Sequence, residues 1–134
     1  MQKYLLFFVT AFLSVALLSC SETDSVKPTA ELISPADADT FFINDTILFS
    51  AAFSDNDELT QYRLEIKNNF TELEDSLPAW KFIVIDALAG TQDTVSSELI
   101  IPDTIYNGNY FVIVKCADVE GNEAAADTSR IVIQ

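Results

Sequence analysis

Residues 59–67 alternate cleanly, with Tyr62, Leu64 and Ile66 apolar and Arg63, Glu65 and Lys67 charged. A period of two belongs to a strand with one dry and one wet face, because successive side chains leave a pleated backbone on opposite sides. The same grammar recurs along the chain. The run 30–33 stops at Ser34-Pro35, and Asn44-Asp45 marks a turn before 46–54, where Ile47, Phe49, Ala51 and Phe53 alternate with Leu48, Ser50, Ala52 and Ser54. Further runs follow at 80–88, 95–101, 110–117 and 128–133, separated by Ala89-Gly90, Pro102, Asn107-Gly108-Asn109 and Gly121-Asn122. No 3.6-residue period is sustained anywhere in this region. About seven short strands in about 100 residues, punctuated by turn residues, predict an all-β chain folded as an immunoglobulin-like sandwich of antiparallel strands.

Tyr110 supports that reading. It follows Gly108-Asn109 at the start of a strand, the place of a tyrosine corner, where the ring is buried and the hydroxyl ties back to nearby backbone. With Tyr110, Val112, Val114 and Cys116 inward, the strand turns Phe111, Ile113 and Lys115 outward. Two apolar residues on that face call for a cover, and the polar segment 68–79 is the expected one. A segment of about twelve residues is long for a compact β domain. It carries Phe70, the aromatic residue best placed to meet a partner.

The N-terminus obeys other rules. Lys3 precedes an apolar run of roughly fifteen residues, the length of a signal-peptide core. A membrane-spanning helix needs about twenty, and polar Ser21-Glu22-Thr23-Asp24 ends the run early. Leu17-Leu18-Ser19-Cys20 resembles the lipobox of bacterial lipoproteins. That resemblance implies cleavage after Ser19 and a diacylglyceryl group on the Cys20 thiol. Each buried methylene contributes about 0.8 kcal/mol, and stable anchoring takes more than one acyl chain, which such a cysteine provides. The expected division is a leader at 1–19, a lipidated tether at 20–29 and one domain at 30–134.

Composition narrows function further. The chain has 21 acidic and 7 basic residues, a net charge of −14. Loss of Lys3 with the leader makes the mature value −15, since every acidic residue follows Cys20. That charge excludes nucleic acid as a partner, because phosphate contacts require clustered Lys and Arg. There is no histidine. His-based triads, imidazole zinc ligands and histidine pH switches are therefore excluded together. Acylation of Cys20 leaves Cys116 without a partner, so an immunoglobulin-type disulfide is impossible. Cys116 lies in an apolar run, where a free cysteine behaves as a small buried hydrophobe.

Several stretches occur in a familiar order: Phe53-Ser54-Asp55-Asn56-Asp57-Glu58-Leu59, Tyr62-Arg63-Leu64-Glu65-Ile66-Lys67-Asn68-Asn69-Phe70, Trp80, Ile101-Pro102, Gly108-Asn109-Tyr110 and Asp118-Val119-Glu120-Gly121-Asn122. Together they resemble a family of immunoglobulin-like lipoprotein domains of unknown function from Bacteroidetes. The resemblance covers nearly all of 28–134 and implies a sandwich on a lipid tether with no established activity. Ser21-Glu22-Thr23-Asp24-Ser25 likewise resembles the acidic export signal of surface lipoproteins in that group. This implies an outer-membrane lipoprotein on the cell surface rather than the periplasmic face. Members carry histidines in the stretch matching 66–75 and before the Ile-Pro pair. None stands here, so the transition-metal site they suggest is not carried over.

Two acidic groups remain. Asp55, Asp57 and Glu58 follow one strand, and Asp118 and Glu120 follow another. In a sandwich those loops can share an end, where carboxylates could gather around Ca²⁺. Asp and Asn are also ordinary turn formers through side-chain-to-backbone bonds. No pair of acids with a fixed separation and no serine with a base is legible, so catalytic residues and cofactors are not expected. Trp80, Phe41 and Phe42 are expected in the core. The expectation is a non-catalytic module, joined to the membrane through Cys20 and binding a protein or glycan. The alternatives are a Ca²⁺-binding structural module, or an accessory or inhibitor subunit of an outer-membrane system.

Overall fold

The computed structural model describes residues 23–68 and 78–134. Residues 1–22, where the leader and Cys20 lipidation are expected, and residues 69–77 with Phe70, lie outside the described residues. Eight strands follow one another: β1 (Thr29–Ser34), β2 (Thr40–Phe41), β3 (Thr46–Ser54), β4 (Leu59–Asn68), β5 (Phe82–Ala87), β6 (Gln92–Ile100), β7 (Gly108–Asp118) and β8 (Asp127–Ile133). They form a three-stranded sheet in the order β1-β3-β6 and a five-stranded sheet in the order β2-β8-β7-β4-β5. No helix occurs among the described residues. The described residues form an all-β sandwich, as the alternation predicts.

Each sheet turns its apolar set inward. Ile47, Phe49, Ala51 and Phe53 of β3 meet Leu64 and Ile66 of β4, Tyr110, Val112, Val114 and Cys116 of β7, and Ile131 and Ile133 of β8, all buried. Phe53 of one sheet packs on Tyr62 of the other at 5.6 Å between ring centroids. The sheets are also tied by backbone. The open edge of β1 meets β8 where the Leu32 N–H donates to the Asp127 carboxylate at 2.8 Å. The segment leaving β1 then crosses sheets, with the Ala38 N–H donating to the Arg130 carbonyl at 2.7 Å.

Tyr110 has no exposed surface. Its hydroxyl donates to the Tyr106 carbonyl at 2.6 Å and accepts the Trp80 N–H at 3.3 Å. That is the expected corner. It does more than tie one loop, because Trp80 is thereby held edge-on against Tyr110, with centroids 6.4 Å apart. Trp80 is a core residue, as expected, and Phe41 packs partly against the core. Phe42 does not, and is 59% exposed. Its N–H donates to the Asp45 carboxylate at 2.7 Å and its carbonyl accepts the Asp45 N–H at 2.9 Å, a turn that throws the ring outward. Asn44 adopts φ +69° there, which asparagine tolerates better than most residues.

Two sequence expectations need revision. An eighth strand exists, and β2 pairs with β8 in parallel, through Thr40↔Val132 and Phe41↔Ile133. Two residues are too few to display a period. The strand read as 95–101 begins earlier, at Gln92, because polar Gln92, Asp93 and Thr94 continue the ladder against Ser54, Phe53 and Ala52 at the sheet edge. Phe111 and Ile113 are half-buried, and most of the segment expected to cover them, 69–77, lies outside the described residues. Lys67 and Arg130 flank Phe111 in register, and Glu65 and Thr128 flank Ile113.

Tyr110→Phe removes the hydroxyl while keeping the ring. Leaving buried backbone groups without that partner costs about 1–3 kcal/mol, which urea denaturation of the variant should register as a lower midpoint at unchanged slope. Cys116 gives a second check. It is 3% exposed, with Sγ 3.4 Å from the Thr29 carbonyl. Burial, then the charges of Asp55 and Asp118, push its thiol up to about 11. The folded protein should resist alkylation by iodoacetamide at pH 8 and react fully in denaturant.

Candidate cation site at the tether end

The turn after β3 and the turn after β7 meet at one end of the sandwich. The link is backbone, since the Val119 N–H donates to the Glu58 carbonyl at 2.9 Å. Asp55-Asn56-Asp57 turns through local bonds of the kind Asp and Asn favour. The Asp57 N–H donates to Asp55 Oδ2 at 3.3 Å, and the Glu58 N–H to Asp57 Oδ1 at 2.9 Å. The β7 turn closes when Asn122 donates from its backbone to Asp118 Oδ1 and from its side chain to Asp118 Oδ2, each at 2.7 Å. Gly121 sits at φ +86° with no atom near a would-be Cβ. Backbone conformation alone is therefore what a side chain would violate there.

A third element joins them. Asp24, expected in a free tether, is docked: its Oδ1 accepts the Val26 N–H and its Oδ2 accepts Asn56 Nδ2, both at 2.9 Å. Asn122 Nδ2 also donates to the Asp24 carbonyl at 3.1 Å. Two carboxylate trios result, Asp24–Asp57–Glu120 and Asp24–Asp55–Asp118, each with one oxygen per residue within 4.8 Å of the others. Four of the five expected residues (Asp55, Asp57, Asp118 and Glu120) therefore converge. Glu58 belongs to neither trio, because its role here is the backbone link to Val119. Asp24 was hidden from sequence reasoning. It lies 31 positions before Asp55 and stands in a polar stretch that looks like linker.

The cluster is electrostatically uneven. Burial opposes ionisation of Asp118, but hydrogen bonds from the Asn122 side chain and backbone, and from Gly121 and Glu120, outweigh it and hold the carboxyl below its usual range. Glu120 goes the other way. Desolvation, then the charge of Asp57, with lesser effects of Asp118 and Asp24, raise its pKa. One oxygen, Asp55 Oδ1, is buried with no hydrogen-bond partner. Chemically, this is a set of hard oxygen donors from three chain segments, with mutual repulsion that a cation would relieve.

A family model described as "Domain of unknown function (DUF4625)" matches residues 18–133. Among solved structures, the fibronectin(III)-like modules of Clostridium thermocellum CbhA superpose with a TM-score of 0.54 at 18% identity, covering 81% of this chain and 47% of that one. The chain thus spans about half the length of that structure, and the likeness concerns the sandwich fold. No curated protein matches the chain significantly.

The two shifted carboxyls predict opposite pH behaviour. Glu120, raised in the folded state, destabilises increasingly as pH rises from 4.5 through its folded value. Asp118, lowered, contributes stability above 3.8 that is lost as pH falls through its folded value. In metal-free buffer at pH 7, Glu120→Gln should therefore raise the melting temperature and Asp118→Asn lower it. Scanning calorimetry should find the gap between the two variants narrowing as the pH is lowered, the Glu120 contribution fading first and the Asp118 contribution only as pH falls through that group's lowered folded value.

Proposed function

The chain belongs to the DUF4625 family, and because that family brings no activity with it, we propose a non-catalytic, lipid-anchored module that binds a partner at the cell surface. Cys20 is the lipid-bearing residue in this reading, on the outer face of the outer membrane of a Bacteroidetes-type envelope. The observation that carries partner binding is apolar exposure. Ile33, Leu48 and Ile100 on one sheet, and Ile83 and Ile85 on the other, are 54–70% exposed on outward faces of a very acidic domain. A solvated spacer needs no such surface, whereas contact faces do. The docking of Asp24 supports the display geometry. Four residue steps separate it from Cys20, which at roughly 3.5 Å each span at most about 14 Å. The acidic loop end thus stays close to the lipid while the far ends of the sheets point outward.

The test has two parts. Cys20→Ser should move the protein from the membrane fraction to soluble or unprocessed material, and protease shaving of intact cells should degrade the wild-type domain. Retention of the serine variant in membranes would remove the anchor from this reading, and full protection from shaving would remove the surface.

A second reading, a Ca²⁺-binding structural module, is favoured by the convergence of three segments and by the unpartnered Asp55 Oδ1. Ca²⁺ here would neutralise the trios and staple the tether to both turns. Millimolar Ca²⁺ should then raise the melting temperature of wild type, and Asp57→Asn should abolish most of that gain. Asparagine retains the oxygen that accepts the Glu58 N–H, so the turn itself survives. An unchanged melting curve in calcium would dismiss this reading.

A further inference from the structure

The basic residues of this acidic chain are segregated. Of the seven Lys and Arg residues, Lys3 is in the leader and Lys27 precedes β1. Arg63 and Lys67 are on β4, Lys115 on β7, Arg130 on β8, and Lys81 directly precedes β5. Strand parity puts them on one surface. Tyr62, Leu64 and Ile66 are buried, as are Val112, Val114 and Cys116, and Ser129 and Ile131, so the residues between them face out from the five-stranded sheet. All five cations are exposed.

Their register makes a patterned face. One cross-strand row reads Ile85–Arg63–Lys115, the next Ile83–Glu65–Ile113–Thr128, and the third Lys67–Phe111–Arg130. Glu65 is the acidic residue within these rows, and it is taken up by Arg63 at 3.2 Å, the one ion pair among the described residues. Lys67, Lys115 and Arg130 make none there. Arg63, Glu65, Ile113 and Lys115 line a shallow depression. The face therefore combines exposed branched aliphatics with cations spaced between them, with Glu123 at its margin beside Arg63 and Lys115, and it gathers five of the six basic residues that follow Cys20.

From this we propose that the outer face of β5-β4-β7-β8 is a docking surface for an acidic polypeptide segment with apolar side chains between its carboxylates. The proposal rests on the partner-binding reading above and assigns its surface and partner chemistry. At physiological ionic strength charge is felt over about 8 Å, so a contacting partner senses this face rather than the net charge. At the end of the sandwich an acidic segment would instead meet the clustered carboxylates of Asp24, Asp55, Asp57, Asp118 and Glu120. Such an arrangement buys orientation more than affinity. Three other occupants fit less well. A sugar would need open aromatic planes, but the exposed apolar groups here are isoleucines and Phe111 is half-buried. An anionic membrane would meet the acidic loop end first, since Asp24 holds that end nearest the lipid. A second copy would bring its own acidic end, and association of that kind would show up as self-assembly.

The test uses the full lipidated chain in uncharged phosphatidylcholine nanodiscs, with the lipid on Cys20 verified by mass. It is titrated into a fluorescein-labelled peptide of alternating Glu and Val and followed by anisotropy. The expected result is saturable binding that weakens at least tenfold in the exposed double variant Arg63→Glu with Lys115→Glu. A comparable loss is expected in 0.5 M salt and with a Gln-Val peptide. Lys27→Glu, off the face, should bind as wild type, and unchanged melting curves should show that the variants fold. Ile83→Thr with Ile85→Thr, which keeps strand propensity, should weaken binding as well. The proposal is overturned if the double reversal binds the peptide equally well. It is overturned too if polygalacturonate or phosphatidylglycerol vesicles displace the peptide at lower charge concentration, or if the chain self-associates through the same residues. A surface partner still captured by the double reversal would leave partner binding standing and remove only this face.

Discussion

The Tyr110 hydroxyl, anchored to the Tyr106 carbonyl from a fully buried ring, fixes where β7 begins. Much else depends on that start. With Tyr110 inward, Val112, Val114 and Cys116 follow it into the core, and Phe111, Ile113 and Lys115 go outward by parity. A slip of one residue would exchange the two sets and bury Lys115. The same hydroxyl holds the Trp80 backbone, so the entry to β5 is set by the third residue of β7. No disulfide spans the two sheets among the described residues, where Cys116 is free. Packing does that work, with hydrogen bonds to β8 from Leu32 of β1 and from Ala38 in the segment after it.

Because β7 is central in its sheet, its register also orders the outer face. β4 and β8 flank it residue by residue, which brings Arg63 beside Lys115 and Lys67 and Arg130 on either side of Phe111. In sequence those cations are spread from 63 to 130 and look like scattered solubilising charge. The acidic residues show the complementary effect at the end of the sandwich, where two turns and Asp24 converge. Charge in this protein is sorted by surface, and the net value of −14 conceals it.

Legibility followed period length. β3, β4 and β7 were readable because nine to eleven residues repeat an apolar-polar alternation several times. The corner at Tyr110 was readable because glycine and asparagine announce the turn before it. Four residues of the acidic cluster could be named, since Asp and Asn after a strand mark a turn and sandwich topology allows two such turns one end. β2 was not readable, being two residues held by a parallel partner distant in sequence. The start of β6 was missed because an edge strand with a wet outer face can be polar and still pair. Asp24 was missed because its partners, Asn56 and Asn122, are 32 and 98 positions away. Glu58 falls outside both trios, and its carbonyl makes the link to Val119.

The sequence by itself determined the strand grammar, the inward faces and the lack of imidazole chemistry, all of which are properties of composition and local period. Tertiary structure alone decided which charges become neighbours. Sheet order and register bring residues from four strands onto one basic, apolar face, and loop convergence brings three segments into one acidic cluster. Neither arrangement has a local signature, because a side chain's direction follows from its own strand but its cross-strand neighbour depends on pairing between distant parts of the chain.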